Sequence, residues 1–149
     1  MKQTIEQQIA EAGFYVSTTV GFSMRPMLRN RRDRVVIRAT DGKRLSKWDL
    51  PLYKRSDGKY ILHRVIEVRD GYYVIRGDNT YAKEKVTDEQ IVGVMTEFYR
   101  GKRHVLATNR GYRRYAAFWQ TIYPIRLPFH YMHRVASLVK RRLFRKPAV

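Results

Sequence analysis

The chain of 149 residues contains no cysteine, which excludes a disulfide framework, a thiol nucleophile and any cysteine-ligated zinc or iron–sulfur site. A metal centre would have to be built from four histidines and the carboxylates, and neither a metal nor a cofactor is expected. Acids are scarce: 13 Asp and Glu stand against 31 Lys and Arg, a net charge of +18. Residues 99–149 hold 13 of the bases and no acid at all, which calls for an anionic partner, either a phosphate backbone or the negative face of a membrane. Long apolar runs are missing too. The most apolar tract, residues 115–125, contains a proline and falls well short of the ~18 residues of a spanning helix. The first twelve residues mix charges and glutamines where a secretory signal would need its apolar core. The expected location is therefore the cytoplasm, with peripheral attachment to the inner face of the membrane as the extension the basic tail suggests.

What is present suffices for a core: 44% of residues are hydrophobic and 13% aromatic, enough to separate this chain from a disordered basic protein. Ile5, Ile9 and Ala12 share one helical face, and Gly13 would close that helix, giving an N-terminal packing helix over 1–13. Residues 14–106 then change to β-branched and aromatic patterning, with strands expected at 14–20, 34–38, 50–54, 59–68, 72–76 and 91–99. The Asp57-Gly58 and Asp70-Gly71 pairs suit tight hairpins, so the fold class is mainly β, with antiparallel strands joined to sequential neighbours. Residues 107–149 turn helical. Helices are expected at 112–123 and about 129–144, broken by Pro124 and Pro128. In the second, Met132, Val135, Ala136, Val139 and Leu143 share a face opposed to most of the basic residues.

Three segments could carry chemistry. In Gly21-Phe22-Ser23-Met24-Arg25-Pro26-Met27-Leu28, a serine follows a strand and a proline restrains the chain three residues on, which would fix a nucleophile; a plain turn serine is the alternative. His63 lies in the 59–68 run, where alternation places it with Ile61, Val65 and Glu67 on the less apolar face, and a half-buried structural histidine is the alternative. Gly77-Asp78-Asn79 and the later Glu84 offer two carboxylates, either of which could orient an imidazole, or could be only turn and surface residues.

In combination and order, GFSMRPML, ILHRV and RGDN with a carboxylate six residues beyond its Asp resemble the signal peptidase and LexA-type serine peptidase superfamily. The likeness covers residues 14–106 and is to its serine/histidine branch, the endoplasmic-reticulum and archaeal signal peptidases. It implies coiled antiparallel sheets of that type and a serine endopeptidase acting on a peptide or protein, without the family's transmembrane anchor. Residue by residue, it implies Ser23 as nucleophile and His63 as general base. It makes Glu84 the orienting acid, with Asp78 holding the turn or competing for that role. Gly21 brings no hydroxyl, so the backbone N–H of Ser23 is the implied oxyanion donor. Met24 and Pro26 are candidates for the substrate cleft.

In the tail, Arg113, Arg114, Trp119, Arg134, Lys140, Arg141 and Arg142 are the candidate contacts to an anionic membrane surface. Nucleic acid is the less favoured partner, and a structural helical layer is the third reading. The competing functions are a LexA-like self-cleaving or DNA-associated regulator and a noncatalytic binding domain of the same fold. The sequence is silent on oligomeric state.

Overall fold

The computed structural model describes residues 3–143, except for the side chains of residue 130 and residues 141–143. Helix α1, Ile5–Ala12, begins at Thr4, whose side chain accepts from the Gln7 amide while Gln7 returns a bond to the Thr4 amide. Ile9 is its buried residue, and Gly13 ends it in the left-handed conformation. The strands follow as β1 (Tyr15–Thr18), β2 (Arg34–Arg38), β3 (Pro51–Lys54), β4 (Tyr60–Leu62), β5 (Arg64–Arg69), β6 (Tyr72–Arg76), β7 (Glu84–Val86), β8 (Ile91–Arg100) and β9 (Arg103–Leu106), with a single helical turn, Asp88–Gln90, before β8. Helices α2, Arg110–Thr121, and α3, Tyr123–Leu143, complete the order.

The protein is mainly β, and every strand pair is antiparallel. One sheet runs β1-β2-β8-β3-β4, with β9 also on β8; the other is β5-β6-β7. The edge strands β1 and β4 of the first sheet line the same cleft, so that sheet is curled. Its core gathers Ile9, Met24, Leu28, Ile37, Met95 and Phe98, while a second core joins Tyr53, Val65, Tyr73, Ile75 and Val86. Leu52 enters the first core and its neighbour Tyr53 the second, so β3 is buried on both faces and forms the seam between them.

Three sequence expectations need correction. The run 59–68 is not one strand: it breaks at His63, where the chain leaves one sheet and enters the other. The face shared by Ile61, His63 and Val65 is accordingly not the wetter one, since Ile61 and Val65 pack in the second core and His63 is buried. Nor do the prolines break the tail as expected. Helix α3 runs through Pro128, and Pro124 sits in its first turn, where a missing N–H costs little; the only interruption between the helices is Ile122. Strands β7 and β9 were not foreseen.

Candidate active site

Ser23 is presented by a loop held from several sides. Leu28 N–H donates to Met24 O at 2.9 Å, and Met24, Met27 and Leu28 are buried beneath it. Gly21 N–H donates to the Asn30 side chain at 2.8 Å. From across the molecule, Asn79 donates its backbone N–H to Ser23 O at 2.7 Å and its side-chain amide to Phe22 O at 3.2 Å. The Ser23 N–H makes no hydrogen bond among the described residues. It remains available to an oxyanion.

The two ring nitrogens of His63 face different neighbours. Nδ1 lies 3.6 Å from Glu84 Oε1 and 3.5 Å from the Tyr53 hydroxyl. On the other side, a Cβ built on Gly77 would come within 3.1 Å of Nε2 and 2.8 Å of Ser23 O, so Nε2 and the serine backbone border one small volume. Glycine at 77 keeps that volume open. Among the described residues no hydrogen bond joins the Ser23 hydroxyl to His63. Burial pushes the imidazole below its usual range; Glu84 opposes that shift, and the Arg55 cation adds to it.

Glu84 stands on β7 and Arg55 just beyond β3. The guanidinium grips the carboxylate with both arms, with Nε at 2.6 Å from Oε2 and a second nitrogen on Oε1. Burial works against the ionised carboxylate, but the Arg55 guanidinium and the nearby Tyr53 hydroxyl outweigh it and hold Glu84 below its ordinary value. Tyr53, fully buried, is pushed up in turn by burial and by that carboxylate.

Asp78 is placed elsewhere. Its carboxylate takes both arms of buried Arg64, each at 2.7 Å, and the Gln120 amide at 2.7 Å. Its carbonyl accepts from Trp119 at 3.1 Å and Arg126 at 2.8 Å. Arg64 also donates to Trp48 O and the Tyr112 hydroxyl, both at 3.0 Å. Asp78 thus ties the turn that clamps Ser23 to the helical tail, and Glu84 is the carboxylate at the imidazole.

A cleft of about 310 Å³ brings Ser23, Met24 and His63 together with residues of β1, β4 and α1. Met24 lines it as expected. Pro26 does not: it is exposed on the far side of the loop, where its carbonyl accepts from Arg100, and it borders a separate cavity of about 560 Å³ with Tyr112 and Tyr115. The tail also divides. Trp119 is half-buried with its indole N–H on Asp78, and Arg113 donates to Asp49 at 3.1 Å and to Lys47 O, so both are fastened to the β-domain. The reason is that α2 buries Tyr112, Ala116 and Gln120 against the body. Arg114, Arg134 and Lys140 are exposed, and the side chains of Arg141 and Arg142 lie outside the described residues.

Sequence reading missed Arg55, Tyr53, Arg64 and Gln120. Arg55 precedes Ser56-Asp57-Gly58 and reads as a solvated turn cation. Only the apolar setting of Tyr53 within 50–54 hinted at burial. No protein-family model and no curated protein matches the chain. Among the described residues no group of acidic or histidine side chains could hold a metal ion, and no helix is long and apolar enough to cross a membrane.

Proposed function

We propose that the chain is a serine endopeptidase in which Ser23 is the nucleophile, His63 the general base and Glu84 the carboxylate that orients the imidazole. One observation carries the reading: His63 turns Nδ1 to Glu84 and Nε2 toward the Ser23 loop, at the edge of a cleft that Ser23 also lines. With Nδ1 protonated toward Glu84, Nε2 is the free base. Ser23 Oγ attacks the peptide carbonyl carbon as its proton passes to Nε2, and the carbonyl oxygen becomes an oxyanion facing the Ser23 N–H. Collapse breaks the C–N bond, and the imidazolium returns the proton to the departing amine. Water, deprotonated by Nε2, then hydrolyses the ester and restores Ser23.

The curled antiparallel sheet, the serine following β1 and the ordered serine, histidine and Gly-Asp-Asn segments support a fold of the signal peptidase and LexA-like type. Among the described residues, both sheet edges at the cleft carry backbone groups without a neighbouring strand, which suits a substrate segment bound in extended form.

A fluorophosphonate probe tests this. Labelling is expected at Ser23, lost in Ser23→Ala and His63→Ala, and kept in Lys59→Ala, because Lys59 is exposed and paired with Asp57 at 3.0 Å. Labelling that survives His63→Ala but fails in Lys59→Ala would replace the histidine with a lysine base. No labelling of the wild-type chain would remove the enzyme reading altogether.

A further inference from the structure

Helix α3 is amphipathic in the inverse sense to an ordinary surface helix, which lays its apolar stripe on the core and its charges in water. Its polar side faces the body. Arg126 donates to the carbonyls of Asp78 and Trp119, Arg134 reaches the Tyr81 hydroxyl, and His133 borders the groove beside residues 79–82, with Phe129 at its lip. Its apolar side chains point outward instead. Ile125 and Phe129 are 71% and 70% exposed, and Met132, Val135 and Val139 continue the face at helical spacing over some 14 residues, about 20 Å of helix. A face of this extent exceeds the scattered exposed residues usual on a monomer.

We propose that this face lies in the surface layer of an anionic lipid bilayer, with the helix axis in the membrane plane. Charge selects the occupant. Residues 99–149 contain 13 bases and no acid, so pairing with a second copy would press two cationic segments together. A nucleic acid would engage the bases but leave the apolar side chains in water. An anionic bilayer takes both: the apolar face sinks below the headgroups while Lys140, at the margin of the apolar face, extends its charged end to lipid phosphates. No described helix is apolar enough to span, which leaves the in-plane arrangement.

The test is co-sedimentation of the full chain with vesicles of phosphatidylcholine alone or with one third phosphatidylglycerol, next to the variant carrying Val135→Glu and Val139→Glu and a second variant, Met132→Glu. All three positions are exposed, so circular dichroism should be unchanged. The expected result is retention on the anionic vesicles, at least about tenfold weaker retention on the neutral ones, and a similar loss in the double variant. Binding that survives both variants would be adsorption by net charge and would overturn the proposal. So would absence of vesicle binding, whether or not the chain forms a dimer that the glutamates dissolve or binds nucleic acid. Because the readout is sedimentation, a failure of the peptidase reading leaves it intact.

Discussion

At His63 the environment sets two opposed charges on one ring, and their removal is expected to move it in opposite directions. Glu84 raises the affinity of the imidazole for its proton and Arg55 lowers it. Glu84→Gln should therefore slow acylation by ~10²–10⁴-fold and move the acid limb of the pH–rate profile down, while Arg55→Gln should move that limb up, measured as labelling rate against pH. Equal shifts in both variants would remove Arg55 as a positioning residue. Burial, the largest influence, keeps the wild-type limb below the ordinary histidine value of 6.5. The same shift links to stability: the unfolded chain binds the proton more readily, so the contribution of His63 is fully present above pH 6.5 and is lost as the pH falls toward the lower folded-state value. Gly77→Ala should lower both acylation and melting temperature, because the added methyl meets Ser23 O and His63 Nε2 at once. Asp78→Asn behaves differently. It leaves Arg64 buried without its counter-charge, a loss of about 3–5 kcal/mol that a melting curve would record as a fall of roughly 10 °C. If Asp78→Asn instead lost acylation at an unchanged melting temperature while Glu84→Gln lost nothing, the acid of the site would be Asp78.

At the scale of elements, what the sequence displayed was local. Strands 34–38 and 72–76 and both Asp-Gly hairpins could be read because alternation and turn chemistry reside in a few adjacent residues. The break at His63 could not, since every residue from 59 to 68 suits a strand and only the packing of two cores decides that the chain changes sheet there. Strand β7 was hidden for a related reason: Glu84-Lys85-Val86 gains its pairing from Tyr73, Val74 and Ile75, and the charges at 84 and 85 mask it. Thus Glu84 was legible as a candidate acid by resemblance, while the Arg55 that grips it was not. Helix α2 is the converse case, a basic segment whose structural role was only one of three readings but which donates Tyr112 and Ala116 to the body and three bonds, with Arg126, to Asp78. Ending the chain after Thr108 should therefore lower the melting temperature steeply, by an amount comparable to deleting a buried aromatic, about 3–5 kcal/mol. An unchanged melting curve would make the tail dispensable to the fold.

For the whole molecule, one charge distribution serves two opposed tendencies. A net +18 in 149 residues repels itself in the compact state, and that repulsion acts over the Debye length, which shrinks from about 30 Å at 0.01 M to about 3 Å at 1 M salt. The acids offset it locally: Asp33, Asp49, Glu84 and Glu97 each lie against an arginine, which leaves the acid-free tail as the main source of the excess. Screening should accordingly stabilise the fold while weakening attraction of the tail to anionic lipid, because the first is a repulsion within one body and the second an attraction between two. Raising sodium chloride from about 0.02 M to about 0.5 M is expected to raise the melting temperature by a few degrees and, over the same range, to release most of the chain from phosphatidylglycerol vesicles. Calorimetry and sedimentation on the same salt series would read both. A melting temperature that falls with salt would mean that the ion pairs on the body, chiefly Arg55 with Glu84 and Arg29 with Asp33, outweigh the repulsion of the tail. The excess positive charge would then be stabilised in place and not held ready for a partner.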